Sequence, residues 1–70
     1  MPGNDAIIVE GRIVEARSAR LFRVELANGH RVLAHPTRRD AELAARLVVG
    51  ELVKLEMSPF DMSKGRLRIR

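Results

Sequence analysis

Between Leu21 and His35 the chain reads FRVEL after the leucine, then ANG, then HRVLAH. Phe22, Val24 and Leu26 alternate with Arg23 and Glu25, the period-two pattern of a strand with one face in a core and the other in solvent. Asn28-Gly29 follows, and this dipeptide between apolar runs is a strong local signal for a hairpin; it predicts a type I′ turn with positive φ at both residues. Residues 30–35 form the returning strand. A chain with this hairpin near its centre folds as an antiparallel β structure, and the other segments must fit around it.

Residues 6–16 are rich in β-branched side chains and read as a first strand. Gly11 interrupts it, which predicts a bulge or a sharp bend of the kind a barrel corner needs. Residues 17–20 read as a turn. After His35, Pro36 stops the third strand. Thr37 followed by Asp40 resembles a capping box, and residues 40–47 read as a short helix with Leu43 and Leu47 on its core face and Gly50 closing it. Residues 51–57 alternate again, with Val53, Leu55 and Met57 inward and Lys54 and Glu56 outward. Residues 58–61 form a turn, and Ser63-Lys64-Gly65 leads into a last strand at 66–70. Residues 1–5 read as a loose tail and residues 6–70 as a single domain.

The order is three strands, a short helix and two strands. A chain of 70 residues without cysteine buries a modest core and has no disulfide to help it. Five strands then do best by curling into a barrel, which removes sheet edges. That arrangement is an all-β, five-stranded OB-fold Greek-key barrel with a short helix between strands 3 and 4. An SH3-like barrel is the structural alternative, but it normally lacks that helix. No apolar run approaches a membrane span of roughly 20 residues, and residues 1–6 have no signal-peptide pattern. The expectation is a cytoplasmic, soluble protein.

No catalytic constellation is legible. His30 and His35, five apart on one predicted strand, point to opposite faces and do not form a metal pair. Ser18, Ser58 and Ser63 fall in turns, outside any nucleophile-elbow sequence, and no glycine pattern makes a phosphate loop. The reading is a protein that is not an enzyme and needs no cofactor and no metal. The charge is more informative: the formal net charge is +4, which makes nucleic acid the first candidate partner. Arg66, Arg68 and Arg70 alternate with Leu67 and Ile69, so one strand presents three guanidiniums on one face, with Lys64 just before them. Arg23 and Arg31 face outward on strands 2 and 3, and Arg38, Arg39 and Arg46 flank or lie on the helix. Arginine suits phosphate because its planar fork donates bidentately. The bland alternative is a solvated face in which these arginines pair with Glu25, Glu51 and Glu56. Phe22 and Phe60 are the only aromatics. Phe22 belongs to the core, and Phe60 is either a core plug, the favoured reading, or a single stacking platform. So few aromatics suit the shape and backbone of folded RNA better than single-strand gripping.

Two blocks carry a wider likeness: FRVELANGHRVLAH and, without a gap in spacing, GELVKLEMSPFDMSKGR. Together they resemble the bacterial translation initiation factor one family, whose pattern joins a FRVEL-x-NGH-x-V-x-AH segment to a late segment ending in (Y/F)D and KGR. The resemblance runs from Ile7 to Arg70. It implies an S1-like OB-fold that binds the small ribosomal subunit at the aminoacyl-tRNA site, beside the decoding region of the rRNA and a neighbouring ribosomal protein. It also implies a monomer that works with the other initiation factors in start selection. By the family pattern Arg23, His30, His35, Lys64, Arg66, Arg68 and Arg70 fall on or near the RNA-binding surface, Arg46 matches an RNA-contacting arginine, and Arg39 keeps a basic position. The segment after His35 departs from the family, with Asp40 in an apolar place, Ala41 and Glu42 in basic ones and Arg38 in place of a loop glycine. The implied loop is less basic and more helical. The alternatives from other classes are a cold-shock-like single-stranded RNA chaperone and a protein-interaction module docking through the helix.

Overall fold

The computed structural model describes residues 7–18 and 20–69. Five strands and one helical turn follow in the order β1 (Ile7–Ser18), β2 (Leu21–Leu26), β3 (Arg31–His35), α1 (Ala41–Ala44), β4 (Leu52–Ser58) and β5 (Asp61–Arg68). The strands close into one barrel in the order β1-β2-β3-β5-β4. All neighbours are antiparallel except β3 and β5, which run parallel. This is the OB-fold expected from the element order. The expected tail at residues 1–5 and Arg70 lie outside the described residues.

Alternation does what the sequence requires of it. Phe22 and Val24 from β2, Val32 and Ala34 from β3, Val53, Leu55 and Met57 from β4, Leu67 from β5 and Ile13 from β1 all point inward and form one core. Burying each large apolar side chain in this set is worth about 1.5–3 kcal/mol relative to leaving it in water. Among the described residues no polar or charged side chain is buried, so the interior is wholly apolar and every charge faces outward.

β1 departs from the expected outline. It continues through Ser18, two residues into the predicted turn, and pairs with β4 over its first half and with β2 over its second. The register irregularities fall between Ile13 and Glu15 and between Ala16 and Ser18, not at Gly11. Gly11 sits where the two ladders overlap, opposite both Leu26 and Val53. A Cβ there would lie 2.5 Å from Val24 Cγ1 and 3.0 Å from the Glu25 carbonyl oxygen. The glycine is needed for close approach of β2, the other meaning of a glycine inside a strand.

The hairpin turn also differs in type. Gly29 has φ +87°, while among the described residues none other than glycine has positive φ. The Gly29 N–H donates to the Leu26 carbonyl at 2.9 Å and the Leu26 N–H donates to the His30 carbonyl at 2.8 Å. This is the three-residue loop in which one glycine in the left-handed region closes the turn. Asn28 contributes through its side chain instead, its Oδ1 accepting the His30 N–H at 2.9 Å.

The helix is a single turn rather than eight residues. Thr37 Oγ1 accepts the Asp40 N–H at 3.2 Å, so half of the expected capping arrangement is present. Beyond Ala45 the bonds tighten to the i−3 type, from Arg46 to Leu43 and from Leu47 to Ala44, and the chain unwinds at Val48 and Val49. So short a helix is held by packing, not by propensity. Its fully buried residue is Ala44, with Leu47 packed against the core, whereas Leu43 is exposed, against the expectation that both leucines face inward. Gly50 does not cap the helix. With φ +101° it ends a turn that returns to β1, donating its N–H to the Ile13 carbonyl at 2.8 Å.

Candidate nucleic-acid interface

The outer face is built by the registers. On β5, Gly65 and Leu67 point inward, so Lys64, Arg66 and Arg68 point out. The parallel ladder sets Leu33 beside Lys64 and His35 beside Arg66. On the other flank the antiparallel ladder sets Glu56 beside Arg66 and Lys54 beside Arg68. Lys54, Lys64, Arg66 and Arg68 therefore form one contiguous patch over β4 and β5, bordered by His35, with Glu56 as the carboxylate inside it. Glu10 of β1 faces Lys54 at the far edge.

The rest of the barrel is charged differently. Arg23 lies 3.6 Å from Glu15, and Arg31 lies 3.9 Å from Glu25. Arg12 stands opposite Glu25 and donates from Nη1 to the Gly50 carbonyl at 2.8 Å. Over β1 and β2 the arginines have nearby acids roughly one for one. Over β4 and β5, Arg66 and Arg68 share one acid: their Nη1 atoms lie 3.7 and 3.6 Å from the two oxygens of Glu56. The triplet strand carries no offsetting acid at these positions, yet its neighbour supplies one. The outcome lies between the two expectations: the arginines are partly paired, and on this face two guanidiniums share one carboxylate. Exposed pairs of this kind contribute only about 0–1 kcal/mol to stability, so their main effect is on the surface field.

The other expected residues fall into two groups. His35 is exposed at the end of β3, its Nδ1 3.4 Å from the Pro36 carbonyl oxygen. Arg39 and Arg46 are exposed on the connection that leaves β3 at the same end, which the parallel pairing makes also the Arg68 end of β5. All three lie at that end of the barrel. His30 precedes β3 at the opposite end of the barrel, about 16 Å of strand away, and is exposed rather than turned to a second face. Arg23 is half-buried on β2, separated from Lys64 by Leu33.

Two features escape sequence reasoning, while Glu56 is one of the acids expected to pair with these arginines and does so. Lys54 joins the patch because of the β4–β5 register. Phe60 is no core plug: it is 85% exposed. Pro59 and Phe60 form the tip of the β4–β5 hairpin, where the Phe60 N–H donates to Ser58 Oγ at 3.1 Å. Asp61 Oδ1 accepts both the N–H and the hydroxyl of Ser63, at 3.1 and 2.6 Å. Those two bonds, with a smaller contribution from Lys64, hold the Asp61 carboxyl below its ordinary range. A two-residue turn locked from both flanks cannot fold its tip back onto the core. Among the described residues no group of histidines, cysteines and acids is arranged to hold a metal, and no helix is long and apolar enough to cross a membrane.

Fold and surface define a small OB-fold barrel with one cationic face. It is similar to the solution structure of translation initiation factor one from the Wolbachia endosymbiont strain TRS of Brugia malayi, with TM-score 0.75 and 30% identity over 99% of this chain and 84% of that one. No family model matches the sequence. At that identity and coverage the chain belongs to the translation initiation factor one family.

Proposed function

We propose that this chain acts in translation initiation as a non-catalytic factor that occupies the aminoacyl-tRNA site of the small ribosomal subunit. The face made by His35, Lys54, Lys64, Arg66 and Arg68 lies against the rRNA of the decoding region. Arg39, Arg46 and Arg70 add phosphate contacts, and Arg23 and His30 make further contacts away from this face. Phosphate contacts hold the rigid barrel in register, and its bulk blocks early tRNA entry. A neighbouring ribosomal protein and the other initiation factors complete the site, and the chain works as a cytoplasmic monomer, one OB-fold unit over residues 6–70.

The observation that carries this reading is the row of outward cations on β4 and β5, where Arg66 and Arg68 share one carboxylate, in a chain of this family. Each arginine that neutralises a phosphate releases counterions, which drives binding to structured RNA without base reading. Chemical footprinting of small-subunit RNA tests it: protection confined to the decoding site is expected, and a footprint elsewhere contradicts it. Arg66→Glu or Arg68→Glu is expected to weaken co-sedimentation with small subunits at least about tenfold, since each reverses a contact charge.

Exposed Phe60 supports a second reading, a cold-shock-like chaperone of single-stranded RNA. Such proteins stack successive bases on several aromatics, and this barrel presents one. Tight binding to short unstructured RNA with none to subunits is the result that favours the chaperone.

A further inference from the structure

We propose that Glu56 is the specificity-determining residue of the basic face, a buttress that sets Arg66 and Arg68 for a rigid RNA backbone and turns flexible strands away. The inference rests on the reading that this face takes structured RNA. Glu56 projects outward from β4 directly opposite Arg66 and diagonally from Arg68. Its two oxygens are divided between the two guanidiniums, Oε1 toward Arg66 and Oε2 toward Arg68, at 3.7 and 3.6 Å. Those distances exceed hydrogen-bond range, so the carboxylate orients the arginines without consuming their donors. It also sits deeper than they do: its side chain is 29% exposed, against 56% for Arg66 and 47% for Arg68. The cations thus form the outer surface and the anion lies beneath and between them.

Removing the anion would leave Lys54, Arg66 and Arg68 as adjacent like charges, which repel across strands and splay apart. With it, both guanidiniums are biased toward one arrangement before any ligand arrives. A ligand whose phosphates are already fixed at one spacing gains from that order, as preorganised partners do. A flexible single strand does not, because it adapts to any arrangement, and it meets a carboxylate between the two sites it would neutralise. Glu56 thus acts by positioning and by repulsion, and discriminating partners needs the repulsive element as well as the attractive one.

The test compares the wild type with Glu56→Gln and Glu56→Asp in binding to small subunits and to poly(U) over a range of salt. The glutamine keeps shape and removes charge. Its affinity for poly(U) is expected to rise about tenfold at low salt, with a salt slope steeper by about 0.7 for one more neutralised phosphate. Its subunit affinity stays level or falls, so the preference for subunits drops at least tenfold. The aspartate keeps the charge but withdraws it by one methylene; it is expected to lose subunit affinity without gaining poly(U) affinity. Thermal melts of both variants, expected unchanged for an outward-facing position, separate these effects from misfolding. A Glu56→Gln protein that gains equally on both ligands, or on neither, overturns the proposal, as does a Glu56→Asp protein matching the wild type. If the wild type does not bind subunits, the parent reading falls and takes the proposal with it. If it does and the ratios stay constant, only the proposal for Glu56 falls.

Discussion

Charge asymmetry between the two sides of the barrel makes a quantitative prediction about salt. Arg66 and Arg31 are both exposed, outward-facing arginines on strands, and both lie within 4 Å of a carboxylate, at 3.7 and 3.9 Å. They differ in what surrounds the pair. Arg31 is the one arginine within ion-pair distance of Glu25, although Arg12 stands opposite it on the other side, while Glu56 is within that distance of both Arg66 and Arg68, and Lys64 lies two residues from Arg66. Lys54, Lys64, Arg66 and Arg68 supply four formal charges to this face, with Glu56 among them and Glu10 opposite Lys54 at its edge. Each cation that neutralises a phosphate of a duplex-like backbone adds about 0.9 to the magnitude of the salt slope.

Arg66→Gln is then expected to lower the magnitude of that slope by about 0.9. Arg31→Gln removes a charge already compensated and is expected to leave the slope within about 0.2, the residue of a weak, screened effect. The double variant Arg66→Gln/Arg68→Gln should lower it by about 1.8 if the contacts act independently. The assay is the dissociation constant for small subunits, from fluorescence anisotropy of labelled protein across monovalent salt, plotted logarithmically. Equal slope changes for Arg66→Gln and Arg31→Gln would refute the reasoning. They would mean that the protein meets RNA through its overall charge and that the strand registers have no bearing on the contact.

Three further outcomes follow from local geometry. Gly11→Ala places a methyl 2.5 Å from Val24 Cγ1 and 3.0 Å from a backbone oxygen; overpacking of about 1–3 kcal/mol outweighs the roughly 0.4–1 kcal/mol gained from a stiffer unfolded chain, so denaturant titration should show a net loss. Gly65→Ala is its control: it meets only the flexible Met57 side chain, at 3.3 Å, and Leu55 at 3.5 Å, so its midpoint should fall by less. Phe60→Ala, at an 85% exposed tip, should leave stability within about 0.5 kcal/mol by the same titration, and a loss larger than that would show the ring packed. Asp61 has its carboxyl held below the ordinary range by Ser63. Its stabilisation is therefore present above the unfolded carboxyl value and lost as pH falls through the lower folded value, and Asp61→Asn should flatten that acid limb of a pH–stability curve.

The strands were legible in the chain because alternation is a local property. β2 is found at the expected residues, and β3 and β4 are each displaced by a single residue or less at either end, whereas β5 begins at Asp61, five residues before the expected start at 66, because pairing with β4 and not alternation sets where it begins. The same logic placed Phe22 and Leu55 in the core, since an inward position on a closed barrel has nowhere else to go. Legibility fails where the outcome depends on a neighbour in space. The helix could not be measured from Ala-rich composition, because packing of Ala44, not propensity, decides its single turn. Nor could the meaning of Gly11 be read, because what excludes a side chain there belongs to Val24 and Glu25 on another strand. Phe60 misleads for a related reason: a lone phenylalanine looks like core until the hairpin flanking it is seen to be locked by Ser58 and Asp61.

The candidate site turns on the same distinction. An alternating row of arginines announces itself, but whether it is a site depends on which strands lie beside it. Consecutive hairpins alone would put β4 between β3 and β5. Instead the chain crosses over, and β5 lies parallel to β3, setting Arg66 between His35 and Glu56. That crossover is made by residues 36–51, the segment where this chain departs most from its family's pattern. Its barrel-side anchors are few: Ala44 and Leu47 in the core, Gly50 and Glu51 bonded to Ile13, and the Gly50 carbonyl accepting from Arg12 Nη1 at 2.8 Å. The rest of the segment is exposed or half-buried, so its loss of basic residues leaves the β4–β5 face intact while removing charge from the end beyond His35. Binding by this chain should then depend more on strand arginines than on its loop, and charge replaced at Ala41 and Glu42 should add affinity without moving the footprint.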